Sequence, residues 1–93
     1  MVLRNLTKTT GVLHEAQLLQ MKLWPSVLWP RSKTEATISQ GSSISTGLVE
    51  YDIQVNTPSP SDLENAKTLV DWTKTMLDGW DVRVSVNGKL LAR

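Results

Sequence analysis

Residues 59–80 read SPSDLENAKTLVDWTKTMLDGW. Stepped at about 100° per residue, this stretch separates into two faces. Leu63, Ala66, Leu69, Val70, Thr73, Met76, Leu77 and Trp80 gather on one face. Glu64, Lys67, Asp71, Lys74 and Asp78 alternate in sign on the other. Opposite charges three or four residues apart contribute only about 0.2–0.5 kcal/mol each, so the stripe is a solvated face. Both ends are marked. Either Ser59 caps with Pro60 as the first helical residue, or Ser61 and Glu64 form an S-x-x-E capping box. Gly79 tolerates the left-handed conformation with which helices often end. The spacing predicts one helix over 60–78. Trp72 falls at the border of its two faces, beside Thr68 and Thr75.

Downstream, Val82, Val84 and Val86 alternate with Arg83 and Ser85, the period of a strand with one buried face. Asn87-Gly88 follows, and a two-residue type I′ turn needs positive φ at both central positions. Such a turn pairs Val86 with Lys89, Ser85 with Leu90 and Val84 with Leu91, the last two sharing the core face. Upstream, Val49, Tyr51, Ile53 and Val55 alternate with Glu50, Asp52 and Gln54, again one dry face and one wet. KTEATIS at residues 33–39 is a weaker strand with Ala36 and Ile38 inward. QGSSISTG, residues 40–47, reads as a turn-rich hairpin loop, and NTPSPS leads from strand to helix.

Residues 12–23 are mostly good helix formers. A helix there would line up Val12, Ala16, Leu19 and Leu23; a strand is the alternative, interrupted by Glu15 and Gln17. Residues 1–10 read as a short edge strand or a loose tail. Between these and the strands lies LWPSVLWP, residues 23–30, a near-repeat holding two of the four tryptophans. A proline disfavours helical dihedrals in the residue before it. Pro25 and Pro30 therefore predict an extended or turning connector, pinned by indoles that each bury on the order of 200 Å².

The expected fold is a two-layer α+β sandwich forming one small domain over residues 1–93. Strands near 34–39, 47–55, 81–86 and 89–92 make an antiparallel sheet of four or five strands. The helix over 60–78 packs across it, and a second helix over 12–23, or a fifth strand, completes the core.

Composition narrows the chemistry. The chain of 93 residues contains no cysteine and one histidine, His14, so a His/Cys zinc site cannot be assembled from it. No motif singles out a serine or threonine to work with His14, and GSSISTG lacks the lysine and following helix of a phosphate-binding loop. Glu50 and Asp52 share one strand face, as the paired carboxylates of a hydrolase would, and equally as solvated charges that discourage edge pairing would. No apolar run approaches the ~20 residues of a membrane span, and residues 1–10 are too polar for a secretion signal. The expectation is a soluble, cytoplasmic protein without membrane association, cofactor or metal.

The net charge of +1 hides an uneven distribution: residues 1–33 carry +4, residues 34–81 carry −6, and the last twelve carry +3. Ends and middle can attract each other within a chain or between chains. With few catalytic groups and four tryptophans, the residues point to a non-enzymatic interaction or assembly module. Its contacts would be Trp24, Trp29, Arg31 and Trp72, with a protein partner or a second copy of itself, since aromatic residues are enriched at interfaces. Single-stranded nucleic-acid binding through Trp24, Trp29, Arg31 and Lys33 is the alternative. It is disfavoured by the acidic middle of the chain and the small net charge.

Overall fold

The computed structural model of the chain describes residues 15–39 and 47–93. The expected tail or edge strand at 1–10, the positions Val12 and His14, and nearly all of the loop at 40–47 lie outside the described residues. The elements are α1 (Glu15–Leu28), β1 (Lys33–Ser39), β2 (Leu48–Gln54), α2 (Ser61–Met76), β3 (Asp81–Val86) and β4 (Lys89–Ala92). The fold is α+β: four strands in the order β1-β2-β3-β4 form one sheet, and both helices pack on the same face of it.

The sheet is mixed rather than antiparallel throughout. β1 pairs antiparallel with β2, and β3 with β4, but β2 and β3 run parallel. The cause is the helix between them. Its sixteen residues span about 24 Å at 1.5 Å per residue. That is close to the ~23 Å of a seven-residue strand. The helix carries the chain back to the end where β2 began, so β3 restarts beside it. Leu48 faces Asp81 in the register, and the Asp81 N–H donates to Gly47 O at 3.1 Å.

The alternation read from the sequence sets the faces. Val49, Tyr51 and Ile53 sit level with Val82, Val84 and Val86, all buried. Ala36 and Ile38 extend this layer under α1. Glu35, Thr37, Asp52, Gln54 and Arg83 face solvent on the opposite side. α2 lays Ala66, Leu69, Val70, Thr73 and Leu77 onto the valine layer, and Trp80 closes its end. Leu63, expected on that face, is 42% exposed. It lies in the first turn, about 80° from the centre of the buried arc.

The starts and stops are specific. Gly79 has φ 87°, the left-handed step that releases α2 into β3. At the N-terminus the reciprocal partner is Asp62 rather than Glu64. Its Oδ2 accepts the Ser59 N–H at 2.8 Å, while the Ser61 N–H donates to Ser59 Oγ at 3.3 Å. Asn87 and Gly88 have φ 50° and 84°, as the type I′ turn demands. Asn87 also acts across the sheet: its amide accepts the Val55 N–H at 2.9 Å and donates to Val55 O at 3.1 Å. Beyond the turn the expected pairing of Val84 with Leu91 gives way to Val84 with Ala92. The register shift between Val84 and Ser85 lets both Leu91 and Ala92 pack against the core.

Tyr51 is a fully buried core side chain with a polar tip. Its hydroxyl shares a 2.9 Å hydrogen bond with Thr73 Oγ1. Burial pushes its pKa up to about 12, although the Thr73 bond opposes this in part. The neutral phenol is thus favoured in the folded chain, and its stabilisation is complete below pH about 10 and lost as pH rises towards 12. Two pKa units correspond to about 2–3 kcal/mol. Urea midpoints should fall steeply between these pH values, in step with the phenolate absorption of this single tyrosine. Tyr51→Phe should cost about 1 kcal/mol at pH 7, because Thr73 loses its partner, and should flatten the alkaline loss. An alkaline loss of equal size in Tyr51→Phe would contradict this.

Candidate functional site

The N-terminal helix departs from expectation in two ways that together create the site. First, α1 runs through Pro25 to Leu28, so six of the eight residues of LWPSVLWP are helical rather than an extended connector. A proline inside a helix removes one hydrogen bond and costs roughly 3 kcal/mol. Here the ring is fully buried, and the helix resumes at once with the Trp29 N–H donating to Pro25 O at 2.8 Å. Pro30 does end the helix, and the chain turns through Pro30–Arg31 into β1. The same tripeptide thus has two outcomes. Pro25 has helix both before and after it and its ring is buried; Pro30 has only Arg31 and Ser32 before an extended strand.

Second, the helix buries the face opposite to the expected one. Gln17, Met21, Pro25 and Trp29, spaced by four, point into the core. Ala16, Leu19 and Leu23, expected inward, are exposed, and Val27 continues their row. Leu19, Leu23 and Val27 are 61%, 61% and 63% exposed. Trp29 explains the choice. Turning the leucine row inward would swing Trp29 out and expose on the order of 200 Å² of indole. It would also break the bond from Trp29 Nε1 to Asp62 Oδ1, 3.1 Å long and buried.

Asp62 is therefore shared between two elements. One carboxylate oxygen holds the Trp29 indole and the other holds the Ser59 N–H. Its charge lies in the first turn of α2, where a helix N-terminus favours an anion. Nearby, Asn65 Nδ2 donates to Leu28 O at 3.2 Å, satisfying a carbonyl left open at the end of α1. These contacts fasten the end of α1 to the start of α2. Further along, Trp24 meets Trp72, so the helices run antiparallel, side by side.

Trp24 and Trp29 are five residues apart, about 140° around a helix. With Trp29 in the core, Trp24 is directed at α2. Its ring centroid lies 5.9 Å from that of Trp72, with the planes tilted by 59°. The two indoles floor an open groove of about 460 Å³ whose walls are Gln20 and Val27 from α1 and Thr75 and Met76 from α2. Trp72 remains 36% exposed. On the α2 margin, the Thr68 and Thr75 hydroxyls donate back to Glu64 O at 2.9 Å and Asp71 O at 2.8 Å. The groove and the Leu19–Leu23–Val27 row are adjacent and share Val27. Among the described residues that line it, no side chain is an acid or a base. The chemistry this surface offers is desolvation of another apolar surface.

The remaining candidates are dispersed. Arg31 lines a separate polar cleft with Asn56, Thr57 and Asp62. Lys33 lies by Glu35 and Asp52 at the open face of the sheet. On that face Glu50 reaches Arg83 at 4.0 Å, and Asp52 stands opposite Glu35 across β1 and β2. Among the described residues no group of three metal-ligating side chains converges, and no helix is long and apolar enough to cross a membrane. Sequence reasoning reached Trp24 and Trp72 but missed Leu19, Leu23 and Val27 as surface, and Gln20, Thr75 and Met76 as walls. The available signal was the double pattern of α1, apolar at 19/23/27 as well as at 21/25/29.

Aromatic pairs contribute about 0.5–1.5 kcal/mol beyond the area they bury. A double-mutant cycle with Trp24→Ala and Trp72→Ala, read by urea unfolding, should give a coupling energy in that range. Additive losses would mean the indoles do not touch in solution.

No protein-family model, curated protein or solved structure matches this chain.

Proposed function

We propose that this chain is a non-enzymatic protein-interaction or assembly module whose contact surface is the outer side of α1 together with the Trp24–Trp72 groove. The observation that carries this is a row of three large aliphatic side chains, each more than 60% exposed, beside an open tryptophan-floored groove. A helix apolar on both sides is ordinarily buried on both sides. Among the described residues, α1 meets the core on one side only. Contiguous apolar patches on monomeric proteins are rarely large, and those that persist mark contact sites. The groove fits a centre of the kind found in interfaces, with aromatic anchors and no buried charge to desolvate.

The single-stranded nucleic-acid reading has less support. It needs indoles and cations on one surface. Trp29 is 5% exposed and bonded to Asp62, and Arg31 and Lys33 line different clefts from Trp24.

A photo-reactive benzophenylalanine placed at Leu23 tests the proposal in cells. Discrete crosslinked species are expected from this position and none from the same group at Thr37, on the open face of the sheet. No discrete adduct from Leu23, or equal adducts from both positions, would refute it.

A further inference from the structure

We infer that Thr57 is a phosphorylation site, modified by a protein kinase that requires proline after its acceptor, and that the phosphate is held by Arg31. The inference is independent of the reading of the α1 face.

The segment NTPSPS, residues 56–61, leads from β2 into α2. It contains both hydroxyl–proline steps of the chain, Thr57-Pro58 and Ser59-Pro60. Each proline biases the residue before it towards extended dihedrals, and brings no N–H that a kinase cleft would have to satisfy. An acceptor must also be free to present its oxygen in line with the leaving group. Among the described residues only Ser32, Thr57 and Ser59 carry an aliphatic hydroxyl outside helices and strands, and Ser32 is half-buried. Thr57 and Ser59 are both exposed. Ser59 Oγ is engaged, however: it accepts the Ser61 N–H at 3.3 Å and shares a 3.0 Å bond with Ser61 Oγ. No hydrogen bond among the described residues holds Thr57 Oγ. The chain is fixed on either side of it, Val55 by Asn87 and Ser59 by Asp62.

The second observation is where the product lies. Thr57 and Arg31 line the same cleft, of about 450 Å³, by the end of α1 and the start of α2. Arg31 is exposed and forms no ion pair among the described residues. The other charge in the cleft, Asp62, is 6% exposed and has both oxygens committed, to Trp29 Nε1 and to the Ser59 N–H. The charge left open in this cleft is therefore a guanidinium, whose planar fork of donors matches a phosphate.

In the reaction Thr57 Oγ attacks the γ-phosphorus of a nucleoside triphosphate bound by the kinase. An O–P bond forms and the bond from that phosphorus to the β,γ-bridging oxygen breaks. The nucleoside diphosphate leaves with the electron pair, and the hydroxyl proton passes to the kinase's catalytic base. The product carries about −1.5 to −2 charges at pH 7. Paired with Arg31, it ties the β2–α2 loop to the turn between α1 and β1, beside the Trp29–Asp62 bond.

The test is incubation of the full chain with a proline-directed serine/threonine kinase and ATP, the modified residue being located by fragment mass spectrometry. Thr57 should take up phosphate in preference to Ser59, and Pro58→Ala should slow its uptake about 10-fold by leaving an N–H unpaired in the kinase. Phosphorus NMR of the product should place the second pKa of the phosphate below its ordinary value of about 6. The thermal midpoint should rise by about 3 °C on modification. Arg31→Gln should abolish both shifts without stopping uptake, and its own unmodified midpoint establishes that it is folded. No uptake at Thr57, greater uptake at Ser59, or uptake indifferent to Pro58→Ala would overturn the modification site. A phosphate that titrates alike in the wild type and in Arg31→Gln would overturn the pairing.

Discussion

The carboxylate of Asp62 is the joint of this molecule. One oxygen takes the buried indole N–H of Trp29 and the other takes the backbone N–H of Ser59. Three things follow from that single group. It settles the first turn of α2, where the helix dipole adds to the hydrogen bonds. It fixes the angular setting of α1, because the row that ends in Trp29 must face inward. And it ties the N-terminal helix to the sheet-covering helix at a place where the chain is otherwise a proline turn. Charge-assisted hydrogen bonds contribute about 1.5–3 kcal/mol each, a large part of what a chain this small can muster.

The consequence for the surface is indirect but strict. α1 carries apolar residues on two opposed rows, and only one can be buried. With Met21, Pro25 and Trp29 committed to the core, Leu19, Leu23 and Val27 are left outward, and Trp24 is carried round to Trp72. The proposed contact surface is what remains after the core has taken the better anchor. This explains why eight residues hold two tryptophans and two prolines. The first tryptophan belongs to the groove and the second to the core. The first proline is core filling, and the second ends the helix.

Much of the fold was legible in the residues, and where it was not the reason is physical. α2, β2 and the β3–β4 hairpin were readable because each depends on local periodicity or turn chemistry: the valine alternation, Asn87-Gly88, and Gly79 after the last apolar position. The parallel pairing of β2 with β3 was not read, although a strand, a helix of matching length and a second strand carry the signal for such a crossover. The setting of α1 was harder. Both of its rows are apolar, so periodicity cannot choose between them, and the choice depends on a bond between residues 33 apart in sequence. Pro25 misled for a related reason. The bias of a proline against a preceding helical residue is local, and full burial of the ring outweighs it. Of the site, Trp72 was visible at the border of two faces. The partnership of Trp24 with Trp72 needed both helices in place.

The most direct measurement of this account is the solvent accessibility of the four indoles. Fluorine NMR of the chain labelled with 5-fluorotryptophan, in dilute solution with a soluble paramagnetic probe, resolves them individually. The account predicts that Trp72 broadens strongly and Trp24 less so, while Trp29 and Trp80 stay sharp; Asp62→Ala should then expose Trp29 to the probe. Equal broadening of Trp24 and Trp29 in the unmodified chain would show that the two halves of the repeat are not sorted between surface and core, and the joint at Asp62 would not exist as described.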